Sequence, residues 1–197
     1  MPAPPGQGTA VGRAGWSVYL SADLHEEDDM TDRYLDDLSV GESWTGEAFT
    51  ITEAEIIAFA QQFDPQPMHV DKAAAEAGRF GGLIASGWHV CSRVMRQFVD
   101  EAYFGQTPLL GMNVDALWWV RPVRPGDTLT VRREIMEIRP SKSQPDRGVV
   151  RTKTWVTNQD GDLAMSFENQ MQLPRNAEAA LIRPLRLTGG AQGCKAG

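Results

Sequence analysis

The chain has 197 residues, a net charge of −7 and an isoelectric point near 5.0. That length supports one domain with a real core plus tails, and the acidic balance argues against nucleic acid or an anionic membrane as main partner. Two cysteines, Cys91 and Cys194, give no support to a disulfide framework or a structural zinc site.

Residues 1–30 combine Pro-Ala-Pro-Pro-Gly, scattered glycine and the acidic run Glu26 to Asp29, with too little periodic apolar content for an element. A loosely attached arm is expected there, and Met30 stands as a candidate translation start. No apolar run approaches the roughly 20 residues of a membrane span, and the first residues lack the apolar stretch of a signal peptide. A cytoplasmic protein is the expectation.

Trp44 to Thr50 reads as a first strand. Thr52-Glu-Ala-Glu55 is a capping box opening a helix whose apolar stripe is Ile56, Phe59, Ala60 and Phe63. The end of that helix delivers Asp64. Pro65 and Pro67 then stiffen a short loop that carries His69, because each ring fixes its own φ and pushes the preceding residue out of the helical region. Asp71 can cap a second, short helix over 72–77, closed by Gly78. A glycine-containing linker, Phe80 to Ala85, leads to Ser86 at the N-cap of the longest helix, expected over 87–103 with an apolar repeat at Val90, Cys91, Val94, Met95, Phe98 and Val99. Cys91 reads as a small core residue.

Beyond Phe104-Gly105 the periodicity becomes alternating, with Met112, Val114, Ala116 and Trp118 on one face of a strand. Trp118 and Trp119 then point to opposite faces, one into the core and the other toward an interface or acyl tunnel. Arg121-Pro-Val-Arg-Pro-Gly-Asp127 is a loop or bulge. Residues 129–138, 149–157 and 163–173 are three further strands, the last two joined by the turn Asn158-Gln-Asp160-Gly161. Strand, helices, long helix and antiparallel meander make an α+β order, with a sheet wrapped around a central helix.

Asp64 and His69 are candidates to share one water molecule. The amides of Gly87 and Trp88, in the first turn of the long helix, are candidates to stabilise developing negative charge. His25 and His89 are read as structural or solvated. The basic residues Arg121, Arg124, Arg132, Arg133 and Lys142 are a possible seat for an anionic carrier.

Asp64-x-x-Pro67-x-His69 resembles the D-x-N-P-x-H hydratase motif of the MaoC-like dehydratases, whose best-known members are (R)-specific enoyl-CoA hydratases. Gln66 stands where the family usually has Asn, and Phe63 directly precedes Asp64. The resemblance covers residues 31–174 and implies a single hot dog fold, leaving 175–197 as a tail. It also implies reversible hydration of a trans-2-enoyl thioester to the (R)-3-hydroxyacyl thioester, a place in fatty acid metabolism, and no metal or redox cofactor. In that reading Asp64, His69 and Gly87 are catalytic, and Gln66, Ser86 and Trp88 contact the substrate, an acyl-CoA or acyl carrier protein thioester. Exposed sheet edges, together with the habit of the fold, imply a homodimer or larger homo-oligomer. The alternatives are a hot dog acyl-CoA thioesterase and a non-catalytic subunit that binds acyl thioesters.

Overall fold

The structure, a computed structural model, describes residues 31–176. The expected arm over 1–30, the start at Met30, Cys194 and nearly all of the expected tail lie outside the described residues. Arg175, the first tail residue, is tied down: its guanidinium donates to the Asp36 carboxylate at 2.6–3.0 Å and its amide to the Asp146 carbonyl at 2.7 Å.

After a single 3-10 turn over Leu35–Asp37, two short strands, β1 (Ser43–Thr45) and β2 (Phe49–Thr50), stand where one strand was expected. Both pair antiparallel with β4 (Thr128–Pro140). The break falls at Gly46, where a side chain would collide with Gln97 and Glu101 of the long helix. Helix α1 (Glu53–Phe63) opens on the expected capping box: Thr52 Oγ1 accepts from the Glu55 amide and the Glu55 carboxylate accepts from the Thr52 amide. Helix α3 (Lys72–Ala77) is capped by Asp71.

The segment carrying His69 is not a loop. Pro67 to Val70 forms a one-turn helix, α2, with Gln66 as its N-cap. Proline suits the first helical position, since its missing N–H would have had no partner there and its φ is already helical. The long helix α4 runs over Gly87–Glu101 and stops two residues sooner than expected, at Ala102 in the left-handed region (φ 44°).

Strands β3 (Leu110–Trp119), β5 (Arg147–Thr157) and β6 (Leu163–Pro174) complete a six-stranded antiparallel sheet of order β1-β4-β5-β6-β3, with β2 also on β4. Helix α4 lies on one face of this sheet. Its Val90 and Val94 pack with Val131, Val156 and Met165 in one buried cluster, and its Phe98 flanks a second built on Ile135, Val150, Met171 and Leu173. Strand β3 departs from simple alternation: the register slips between Gly111 and Asn113 and again between Asp115 and Trp118, with Ala116 at φ 48°. Trp118 and Trp119 pair with consecutive residues of β6, Ser166 and Met165, and so point to opposite faces as expected; Trp119 lies against Gly87 and Trp88 of α4, and on this edge strand the two are 48 % (Trp119) and 66 % (Trp118) exposed. Among the described residues no helix is long and apolar enough to cross a membrane.

Candidate active site

Three segments converge on Asp64: the end of α1, the single turn α2, and the linker that enters α4. Asp64 caps α1, its amide donating to the Ala60 carbonyl at 2.9 Å. The irregular stretch before α4 is pinned on both sides. The Ala85 amide donates to the Val123 carbonyl at 2.8 Å, and the Ile84 amide to the Met68 carbonyl at 3.2 Å. The Arg121–Asp127 loop therefore has a positional role, holding the linker against α2.

His69 is 4 % exposed, and its Nδ1 lies 2.8 Å from the Ile84 carbonyl. A carbonyl only accepts, so Nδ1 carries the proton and Nε2 of the neutral ring offers a lone pair. Nε2 faces Asp64 Oδ2 at 3.5 Å. Two acceptors at that separation do not bond each other directly. They suit a water molecule that donates one hydrogen to each, while a protonated His69 would donate straight to the carboxylate.

Asp64 is fixed from two more directions. The Ser86 hydroxyl donates to Oδ2 at 2.7 Å, and the Gln66 side-chain amide donates to Oδ1 at 2.7 Å. These donors, Ser86 first and Gln66 second, hold the carboxyl below its ordinary range against the opposing push of burial. Gln66, longer than the Asn expected at that position, thus reaches its neighbour two residues away. Ser86 is fully enclosed, 1 % exposed, and its role extends beyond capping.

The first turn of α4 needs one correction. The Trp88 amide is not free, because it donates to Ser86 Oγ at 3.3 Å. The Gly87 amide has no hydrogen-bond partner among the described residues and lies at the positive end of the helix. Glycine is required at 87, since a Cβ there would fall inside the Trp119 indole. Trp88, 58 % exposed, meets that same indole edge-on at 5.3 Å.

His89 is buried and stacks on Phe59 at 4.9 Å, away from the dyad, and burial pushes its pKa down. The basic residues do not form a common patch. Arg121 pairs with Asp162, Arg132 with Glu134, and Arg133 is buried against Glu101. No three His, Cys, Asp or Glu side chains are grouped to hold a metal ion among the described residues.

A cavity of about 550 Å³ runs between α4 and the sheet, lined on the helix side by Cys91, Val94, Met95, Phe98 and Val99. Cys91, one helical turn beyond Gly87, is half-buried in this wall with its sulfur 3.6 Å from that of Met165. Sequence reasoning missed both the cavity and the Ser86 to Asp64 bond. Their signal is tertiary, because Ser86 meets Asp64 across 22 residues.

The MaoC like domain matches residues 39–158, which span the dyad, Ser86 and Gly87. The chain belongs to the MaoC-like dehydratase family. A MaoC-like dehydratase from Rhodospirillum rubrum is 37 % identical with a TM-score of 0.68, the match covering 73 % of this chain and 98 % of that one. The R-hydratase PhaJ1 from Pseudomonas aeruginosa is 27 % identical with a TM-score of 0.57, covering 73 % of this chain and 86 % of that one. A Mycobacterium tuberculosis protein with a double hotdog fold is 20 % identical with a TM-score of 0.66, over 75 % of this chain and 46 % of that one, and speaks for the fold alone. The fold of this MaoC-like chain is the α+β hot dog, a helix held by an antiparallel sheet.

Proposed function

We propose that this protein is a hydratase that adds water reversibly to a trans-2-enoyl thioester, giving the (R)-3-hydroxyacyl thioester. The observation that carries this reading is the mutual placement of Asp64 and His69, 3.5 Å apart, with Ser86 and Gln66 orienting the carboxylate. One water held by the pair gives its oxygen to C3 and one proton to the dyad, and a proton passes from the dyad to C2, so a single water is added to the double bond. In the dehydration direction the same groups remove the C2 proton and protonate the leaving hydroxyl.

The Gly87 amide supplies the complementary group. Negative charge moves onto the thioester oxygen as C3 is attacked, and a fixed N–H at a helix start favours that charge; such a donor is typically worth about 3 kcal/mol. The likeness to an R-hydratase at 27 % identity supports the same chemistry. A coenzyme A or acyl carrier protein thioester is the substrate class that this chemistry takes.

The test is a panel of trans-2-enoyl-CoA substrates followed by loss of enoyl ultraviolet absorbance, with product configuration read by chiral chromatography. Loss of absorbance yielding the (R)-hydroxy product is expected. Release of free thiol together with the free enoic acid would instead identify a thioesterase.

A further inference from the structure

The inner face of the sheet is apolar at both ends and polar across its middle. On β4, Arg133 stands between Val131 and Ile135. On β5, Thr152 and Thr154 stand between Val150 and Val156, and on β6, Asn169 stands between Phe167 and Met171. Register makes these residues neighbours, with Arg133 opposite Thr154 and Thr152 opposite Asn169. The result is a continuous band across three strands that divides the two apolar clusters. All four residues line the cavity against α4.

The band is electrically neutral. Arg133, 4 % exposed, donates to the Glu101 carboxylate at 2.8 Å and to the Val94 carbonyl at 3.1 Å, and its charge is matched by that carboxylate. Thr152 donates to Asn169 Oδ1 at 2.7 Å, which leaves the Asn169 amide nitrogen with no protein acceptor among the described residues. Arg133 and Thr152 already spend donors inside the protein, but a wall built only to hold a hydrocarbon chain gains nothing from the half-buried Asn169 amide, which would lose its hydrogen bonds to water without replacement.

We infer that this polar band recognises an uncharged oxygen function, a hydroxyl or keto group, carried far out on the acyl chain of the substrate. The inference rests on the hydratase reading, in that it places the thioester at Gly87. Neutralisation of Arg133 by Glu101 disfavours a terminal carboxylate as the recognised group. Position along the chain follows from the helix. Val94, whose carbonyl holds Arg133, is roughly 10 Å beyond Gly87 at the helical rise of about 1.5 Å per residue. An extended chain covers that distance in roughly nine bonds, at about 3.5 Å for every three. The recognised oxygen therefore sits around the ninth carbon, well outside the reacting C2 and C3.

The experiment uses the full chain and saturated acyl-CoA thioesters, which cannot be hydrated, titrated by calorimetry with a keto group walked along a chain of constant length. Chains with the group around the ninth carbon are expected to bind about tenfold more tightly than the plain chain, the effect of one to two buried hydrogen bonds. Thr152→Val and Asn169→Leu, in separate proteins, are expected to bring that ratio near one without weakening the plain chain. Equal or weaker binding of every oxygenated chain overturns the inference, as does a preference that survives both substitutions, or failure of any acyl thioester to bind. If neither variant folds by circular dichroism, the wild-type ratio decides alone. The preference found in a protein that hydrates no enoyl thioester upholds the band and removes the hydratase reading, so the two failures are distinguishable.

Discussion

Ser86 Oγ donates to Asp64 Oδ2 at 2.7 Å while accepting from the Trp88 amide, so one hydroxyl both caps the central helix and aims the carboxylate of the dyad. Ser86→Ala breaks both bonds at once. Loss of the cap is expected to cost about 1 kcal/mol, read from denaturant midpoints. Asp64 loses its strongest stabilising donor, and its pKa is expected to rise toward the ordinary carboxylate range. The acid limb of kcat/KM should move to higher pH in this variant. The sign for stability is the usual one for a lowered carboxyl: the contribution of Asp64 is present above the unfolded-chain value near about 3.9 and is lost as pH falls through the folded one. In the variant that contribution is smaller.

Asp64→Asn and His69→Ala are each expected to lower turnover by about 10² to 10⁴. Asn keeps an oxygen for the Ser86 hydroxyl but sets its NH2 against the Gln66 donor, so a modest fall in the unfolding midpoint is expected. Single-turnover hydration and thermal melts together separate lost chemistry from lost structure. Turnover unchanged in both variants would remove the dyad from the reaction.

Gly87→Ala drives a methyl group into the Trp119 indole. Reduced melting temperature and reduced activity are expected together. The double variant Gly87→Ala with Trp119→Ala should recover the melting temperature, because the obstruction is a side chain and not backbone. A double variant no more stable than Gly87→Ala would show that strain lies elsewhere.

Glu101→Gln leaves the Arg133 guanidinium buried without its counter-charge; the Arg133 side chain is 5 % exposed and that of Glu101 14 %. Breaking one partner of such a pair typically costs about 3 to 5 kcal/mol, measurable by urea unfolding. Burial lowers the Arg133 pKa, with Glu101 opposing that shift, so removal of the carboxylate deepens the penalty.

Strand β3 sits at the sheet edge and exposes Leu110, Met112, Val114, Trp118 and Trp119, beside Met95 and Val99 of α4. An edge with that much apolar surface calls for cover. Sedimentation at micromolar concentration is expected to give a dimer, and Val114→Lys a monomer. A wild-type monomer would contradict the assembly.

Much of this architecture was legible in local chemistry. The capping box at Thr52, the Asp71 cap and the β5 to β6 turn are decided by neighbours in sequence, and each is found where the residue pattern puts it. The Asp64 and His69 spacing was visible for the same reason. What escaped depends on partners distant in the chain. The split of the first strand at Gly46 answers to α4, and the tryptophans of β3 stay exposed because that strand closes one edge of the sheet, a place decided by strands far off in the chain. Pro67 misleads in the other direction: the ring that forbids a helix interior is welcome at its first position, so a stiff loop and a helical turn share one local signature.

The imidazole of His69 is steered by the main chain of residue 84, through a carbonyl common to every amino acid. Substitutions at that position can alter packing without erasing the acceptor, whereas the restraints on the opposing carboxylate come from side chains that a single codon change can delete. Evolutionary drift can therefore retune the carboxylate half of the pair far more freely than the imidazole half.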